Sequence, residues 1–547
     1  MYQQVLDPVG GSLAWSAAAA TLPLLAMFVM LGVFRCKAHH AALAGLGIAV
    51  GAAIIGWGMP IAQAVSATAE GAFYGVFPIL WILVNALFVY RLTVRSGWFE
   101  ELGRVVRAIS DDLRILSILI AFCFGALLES LAGFGAPVAI SAAMLMAAGM
   151  RPLVAACTSL LANTAPVAFG AMGAPILALA GVTGLPLDDL AAMAGRQTPF
   201  IAALVPLVMV FMVDGRRGVR QTWPVAVVAG VVFALAQFVT ANYLAVELTD
   251  VVASIVTVLA VLGMLRIWQP EVGMVADSVD LGTSDASGGA VAISTVATID
   301  RSRRTVLAIA PYVIIIVVFT IAQIPAVKSI LTDLGTAVFR WPGLDIVDPA
   351  GNPLSAMTFK LDILKSTGTL LLLSGVLTAM LYKIGVREVL RTYWETLVQL
   401  RWTVVTVTAV LALAFVMNLS GQTASLGMAL ASTGGLFALA SPLIGWIGVA
   451  ITGSDTSSNS LFGVMQMTAA QHVGLDPVLM AASNSSAGVL GKMLSPQNLS
   501  VAVAAVGLAG SEGVILRKLI GWSLGLLAFL TIIIYLQSTP VLGWMVP

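Results

Sequence analysis

Charge is what this 547-residue chain has least of. Only 10% of it is Asp, Glu, Lys or Arg, where a soluble globular domain carries about one-quarter. With 59% hydrophobic residues and a mean hydropathy of +1.01, a soluble fold is excluded, because no globular core could hide so much apolar surface. The chain reads as a multi-pass membrane protein. Cysteine is nearly absent. Cys36, Cys123 and Cys157 lie in or beside apolar runs, which argues against a disulfide framework and leaves no zinc spacing. The three histidines, His39, His40 and His472, make no metal cluster with them. A net charge of +1 gives no basic footprint for nucleic acid. No GxxxxGK[ST] run follows a strand, so the glycine-rich stretches are not phosphate loops. No nucleophile–base set is readable either, so the residues point away from an enzyme and call for no cofactor. The first apolar run, 13–34, lacks a basic n-region and a convincing cleavage site and reads as a retained helix.

What is present is a series of apolar runs of about the twenty residues a crossing needs. They fall near 13–34, 38–58, 71–94, 199–213, 222–240, 250–267, 305–323, 366–383, 402–418 and 514–538. Two more regions, 113–183 and 435–510, are too long for one crossing and too broken for two ordinary ones. In the first, an apolar arm runs from Arg114 to the tip ESLAGFG (129–135), returns to Arg151 and Pro152, and a crossing over 152–183 follows. In the second, 435–452 go in, GSDTSSNS (453–460) forms the tip, 461–474 return to a GLDP turn, and 478–510 cross. The expected fold is all-α and polytopic: about 12 transmembrane helices plus two re-entrant hairpins. With the N-terminus outside, 21 of the 27 basic residues fall on the cytoplasmic side, a bias strong enough to set orientation. The same tally makes the hairpins enter from opposite faces, as an inverted repeat, and places both termini outside.

The chain divides accordingly into N-terminal helices and a first arm helix (1–112), a first hairpin and broken helix (113–183), connecting crossings (184–268), a polar cytoplasmic linker (269–304), second-half scaffold helices (305–434) with an outer loop at 324–365, a second hairpin and broken helix (435–510), and a C-terminal crossing (511–547). Residues 98–112 and 386–400 mix charge with apolar positions at helical spacing. Either interfacial arm helices or plain amphipathic connectors fit them.

Both broken regions carry one short pattern, NTAPVAFGAMGAP (163–175) and NSSAGVLGKMLSP (484–496), in which Asn, Gly, Met and Pro recur at the same offsets. Interrupted hydrophobic segments in corresponding positions of two halves point to a transporter's binding site. Backbone groups freed there must face protein or a wet cavity, not lipid. Asn163, Thr164, Asn484, Ser485 and Ser486 can satisfy such groups or bind ligand. Three charges stand alone in these regions: Glu129, Asp455 and Lys492. A charge at bilayer depth costs about 2.5–3.5 kcal/mol on insertion scales, so its presence calls for a use. Glu129 and Asp455, at corresponding tips, are candidate proton carriers. The polar neighbours of Asp455, among them Ser454, Thr456 and Ser457, equally suit a sodium or substrate hydrogen-bond site. Lys492 is the candidate partner of an anionic substrate, or of one of these carboxylates. Arg196 is a further candidate at the outer mouth, or a membrane-edge arginine.

The strings ESLAGFGAPVAI (129–140), NTAPVAFGAMGAPIL (163–177), GRQTPF (195–200), GSDTSSNSLF (453–462) and GKMLSPQNLSVA (491–502) together resemble the bacterial L-lactate permease family. The resemblance runs nearly end to end and departs at 276–300 and 341–357. It implies an ion-transporter-type fold in the bacterial cytoplasmic (inner) membrane. It also implies symport of protons with L-lactate and related short 2-hydroxymonocarboxylates such as glycolate and D-lactate. A sodium-coupled di- or tricarboxylate carrier is the alternative, and a membrane-embedded enzyme a remote one. Homodimerisation is left open.

Overall fold

The computed structural model describes every residue except 108, 134, 275–296, 355–356 and 509. The expected linker, 269–304, therefore lies mostly outside the described residues. Among those described, ten helices are long and apolar enough to cross a membrane, or eleven when the bent pair Pro152–Ala162 and Val167–Thr183 counts as one span. The ten include the hairpin arms Leu113–Leu131 and Gly434–Thr452, while the expected crossings at 366–383 and 478–510 form shorter helices, Thr367–Leu381 and Pro477–Lys492. The run Leu187–Tyr243 counts once, yet Asp214 and Gly215 leave helical geometry inside it, Gly215 at φ 61°. The chain bends at this charged point, between the apolar runs at 199–213 and 222–240.

Three details refine the sequence expectation. The protein is helical apart from a small β component outside the helices. The loop at 324–365 holds a helix, Pro325–Gly335, and an antiparallel pair, Thr336–Arg340 with Thr358–Asp362. The sequences TAVFR and TFKLD favour strands through their β-branched and aromatic residues. Ile346–Val347 also pairs with Tyr2–Gln3. Second, the two amphipathic segments differ. Trp98–Arg107 is a separate helix, whereas 386–400 opens the 35-residue helix Val386–Ser420, since no breaker separates it from the crossing that follows. Arg95, at the end of the helix Trp81–Arg95, ties that helix to Val386–Ser420 through Glu388 at 2.8 Å and Glu395 at 3.1 Å.

Third, the broken helices do not break alike. Each region contains a helical hairpin whose arms pack against each other. The first pairs the run 113–132 with Ala136–Ala147, and the second pairs Phe437–Thr452 with Asp455–Val473. The tips turn where only glycine is at ease: Gly135 has φ 84° and Gly453 φ 74°. Beyond the first hairpin, Pro152–Ala162 ends at Asn163, and a second irregularity puts Ala171 and Met172 at φ 45° and 56°. Beyond the second, Pro477–Lys492 is one unbroken helix and the break comes at 493–495. Asn484, Ser485 and Ser486 thus sit inside a regular helix and do not line an unwound stretch. The reason is one residue. Pro166, which lacks an N–H and crowds the preceding turn, is matched in the second motif by Ala487. The shared break falls later, with Ala171 and Met172 opposite Lys492 and Met493. There the second motif restarts its helix with Ser495, whose hydroxyl accepts the Asn498 N–H, and Pro496 at the first position.

The two units interlock. The helix after the first break, Gly170–Thr183, packs on the return arm of the second hairpin. The helix after the second break, Pro496–Ala505, packs on the return arm of the first. The Asn459 amide donates to the Pro175 carbonyl across this seam at 3.1 Å.

Candidate functional site

Lys492 ends the helix Pro477–Lys492, at the C-terminal end, where a helix favours positive charge. Its ammonium crosses to the other unit and lies 2.5 Å from Oε1 of Glu129. Oε2 of Glu129 accepts the side-chain amide of Asn163 at 2.9 Å. All three side chains are buried. The lone acid of the first hairpin, the lone base of the second broken region and the asparagine that opens the first motif form one cluster. Taking such charges out of water is costly unless they are paired and hydrogen-bonded, and here both conditions are met. Of the two partners the sequence offered Lys492, the structure selects Glu129 over Asp455.

Asp455 is the first residue of its arm, behind the cap made by Ser454, whose hydroxyl accepts the Ser457 N–H at 3.2 Å. Its Oδ2 accepts the Ser485 hydroxyl at 2.5 Å and the Asn459 amide at 3.4 Å. Its Oδ1 is buried and has no hydrogen-bond partner among the described residues. A narrow cleft with an internal volume of about 30 Å³ is lined by residues of both tips, Glu129 and Lys492 together with Ser454, Asp455 and Thr456, and by Gly170 and Ala171 of the first break.

The remaining predicted residues are not on the cleft wall. The Thr164 hydroxyl bonds its own helix at the Leu161 carbonyl. Asn484 is held by Gln466, which donates to its Oδ1 at 3.2 Å, and its amide donates to Asn459 at 2.8 Å. The Ser485 hydroxyl is turned to Asp455, to which it donates. The Ser486 hydroxyl is buried and without a partner among the described residues. Arg196 is elsewhere: its guanidinium donates to Asn242 at 2.8 Å and to the Met545 carbonyl at 2.7 Å. It ties the Leu187–Tyr243 run to the C-terminal segment.

Two buried acids escaped the sequence reading. Asp250 is fully buried near Glu129 and Lys492, whose charges it feels. Glu70 is fully buried with neither carboxyl oxygen partnered among the described residues. Each sits at or just before an apolar run, where an acid reads as a membrane-edge residue. The signal available was the direction each faces along its helix, which the run boundaries alone do not give.

A multi-pass helical protein with a charged cleft between two interlocked hairpin units has the form of a membrane carrier. The comparisons narrow this. A family model described as L-lactate permease matches residues 16–541. The L-lactate permease of Bacillus subtilis (strain 168) is 41% identical over 570 residues, covering 100% of both chains. The glycolate permease GlcA of Escherichia coli (strain K12) is 40% identical over 564 residues, covering 100% of this chain and 99% of its own. Among solved structures, the Neisseria gonorrhoeae MtrF protein, from a class of antimetabolite efflux pumps, aligns at TM-score 0.44 and 17% identity over 87% of this chain and 84% of that one, a likeness too loose to carry any argument. The chain belongs to the L-lactate permease family, whose members matched here are named as permeases and not as enzymes.

Proposed function

We propose that this protein is a proton-coupled symporter of L-lactate and related short 2-hydroxymonocarboxylates, glycolate and D-lactate among them, in the bacterial cytoplasmic membrane. The names of its relatives support the substrate class. The observation that carries the mechanism is the buried Lys492–Glu129 contact of 2.5 Å on the wall of the cleft. An arriving carboxylate competes for the ammonium. If it wins, Glu129 loses its charge partner and keeps the Asn163 amide as its hydrogen-bond donor, and a proton on its carboxyl takes the place of the lost ammonium. Anion binding and protonation of Glu129 then favour each other, and one lactate can replace another while the proton stays in place. Asp455 lines the same cleft, and its carboxyl is the candidate acceptor for the 2-hydroxyl of the substrate.

Regions 113–183 and 435–510 form the transport core in this reading, and the other crossings its scaffold. One proton per monocarboxylate moves no net charge. Uptake should follow the pH gradient and ignore voltage, which acts at about 2.3 kcal/mol per charge per 100 mV. The test is labelled lactate uptake into proteoliposomes with pH and sodium gradients imposed separately. Uptake driven by an inward proton gradient is expected. Uptake driven by sodium alone would replace this reading with a sodium-coupled carrier built around the oxygen-rich Asp455 tip.

A further inference from the structure

Two carboxyls, Glu247 and Asp250, stand one turn apart beside the arm that carries Glu129. Glu247 is half-buried in the short turn Val246–Leu248, where Oε1 accepts the Thr367 hydroxyl at 3.2 Å. One turn further on, in the first turn of the helix Thr249–Ile267, Asp250 is 0% exposed. Its Oδ1 accepts the Gln237 amide at 3.4 Å, and its Oδ2 has no hydrogen-bond partner among the described residues. Gln237 is itself fixed. It accepts from Thr198 at 3.1 Å and donates to the Ala165 carbonyl of the first break at 3.1 Å. The Asp250 helix packs on the arm segment Gly125–Ala132 that carries Glu129. The charges acting on Asp250 are those of Glu129 and Lys492, and those acting on Glu247 are Asp188 and Lys328.

The exchange of partners at Lys492 leaves Asp250 without a role. A buried acid in a membrane protein with no counter-ion in contact is rare, and carboxyls in series are the physical form of a proton relay. We propose that Asp250 relays the coupling proton to Glu129, with Glu247 as the carboxyl through which it arrives. As Lys492 turns to the substrate, the protonated carboxyl of Asp250 gives its proton to the Glu129 carboxylate. The O–H bond at Asp250 breaks, one forms at Glu129, and Asp250 becomes a carboxylate. Asp250 is then reprotonated from Glu247, which recovers a proton from water outside the site. One proton has entered with one anion. This inference rests on the proton-symport reading.

The experiment uses the full-length protein in proteoliposomes. Asp250→Asn keeps the size of the side chain and an oxygen for Gln237 but cannot pass a proton. Exchange of labelled for unlabelled lactate, which needs no net proton movement, should persist. Net uptake driven by a pH gradient, and the accompanying internal acidification read by a trapped dye, should fall by about ten-fold or more. Asp250→Glu should recover part of both, and Glu247→Gln should slow net uptake more weakly. Net uptake by Asp250→Asn equal to that of the parent overturns the relay. So does equal loss of exchange and net uptake with no recovery in Asp250→Glu, which would make Asp250 structural. If the parent itself ignores the pH gradient, the proposed function fails first, and that outcome is seen before any variant is compared.

Discussion

Gly170 leaves the room that Glu129 occupies: a Cβ there would stand 2.9 Å from Oε1 and 3.1 Å from Cγ of the glutamate. The second unit repeats the device, since a Cβ on Gly488 would lie 2.6 Å from Oδ1 of Asp455. Each broken region thus carries a glycine beneath the carboxyl of its own hairpin. Gly170→Ala should push Glu129 off the Lys492 ammonium at a folding cost of about 1–3 kcal/mol. Lactate uptake should fall further than the melting temperature suggests. Paired uptake and thermal-melt measurements in detergent check this, and unchanged uptake would mean that the glutamate has slack.

Removing one partner of the buried pair should be worse than removing both. Lys492→Ala strands Glu129 and should cost about 3–5 kcal/mol of stability. Adding Glu129→Gln should restore much of that loss without restoring transport. A double-mutant cycle on melting temperature reads the coupling directly. Additive losses would show that the two side chains do not depend on each other.

Asp455 has a different expected signature. If its carboxyl takes the substrate hydroxyl, Asp455→Asn should narrow the preference for lactate over propionate by about five-fold, the worth of one ordinary hydrogen bond. Competition of each acid against labelled lactate measures the ratio. An unchanged ratio removes Asp455 from hydroxyl recognition.

Arg114 is the counter-example of a buried charge with a structural duty. It is 1% exposed and bonds Asp112 at 2.7 Å, Asp214 at 3.0 Å, Gln221 at 2.6 Å and the Val272 carbonyl at 2.6 Å. It fastens the base of the first hairpin to the bend at Asp214–Gly215. Arg114→Ala should lose about 3–5 kcal/mol, and Arg114→Lys should recover little, because a point charge cannot replace the planar fork. The KM for lactate of whatever protein folds should not move, which transport assays on the surviving fraction will show.

These residues mark what the sequence could and could not disclose. The hairpin tips were legible because glycine and small polar residues interrupt long apolar runs at 133–135 and 453–460. Lys492 was legible as a lone charge, but its choice of Glu129 over Asp455 depends on how the units cross, which spacing within one region does not encode. The second break falls inside the motif 484–496, but at its end, 493–495, because the two motifs share Asn, Gly, Met and Pro but differ at Pro166 and Ala487, the position that decides helix continuity. Asn484 looked like a ligand donor because its partners, Gln466 and Asn459, lie on another arm.

That difference is itself testable. Ala487→Pro should impose on the second motif the early break of the first. It should cost about 3 kcal/mol or more, since the helix Pro477–Lys492 is buried through that stretch. Pro166→Ala should instead be mild in stability and severe in turnover if the extra break is a working joint. Melts and initial rates on both variants separate the two effects, and a mild Ala487→Pro would show that the helix tolerates the kink.

The helix beyond each break rests on the return arm of the opposite unit, so neither half possesses a complete gate of its own. If the two units move in the proposed transport cycle, lifting one drags the other, as with two clasped hands, and release at one face goes with closure at its opposite. A leak with both doors ajar would require tearing that clasp apart.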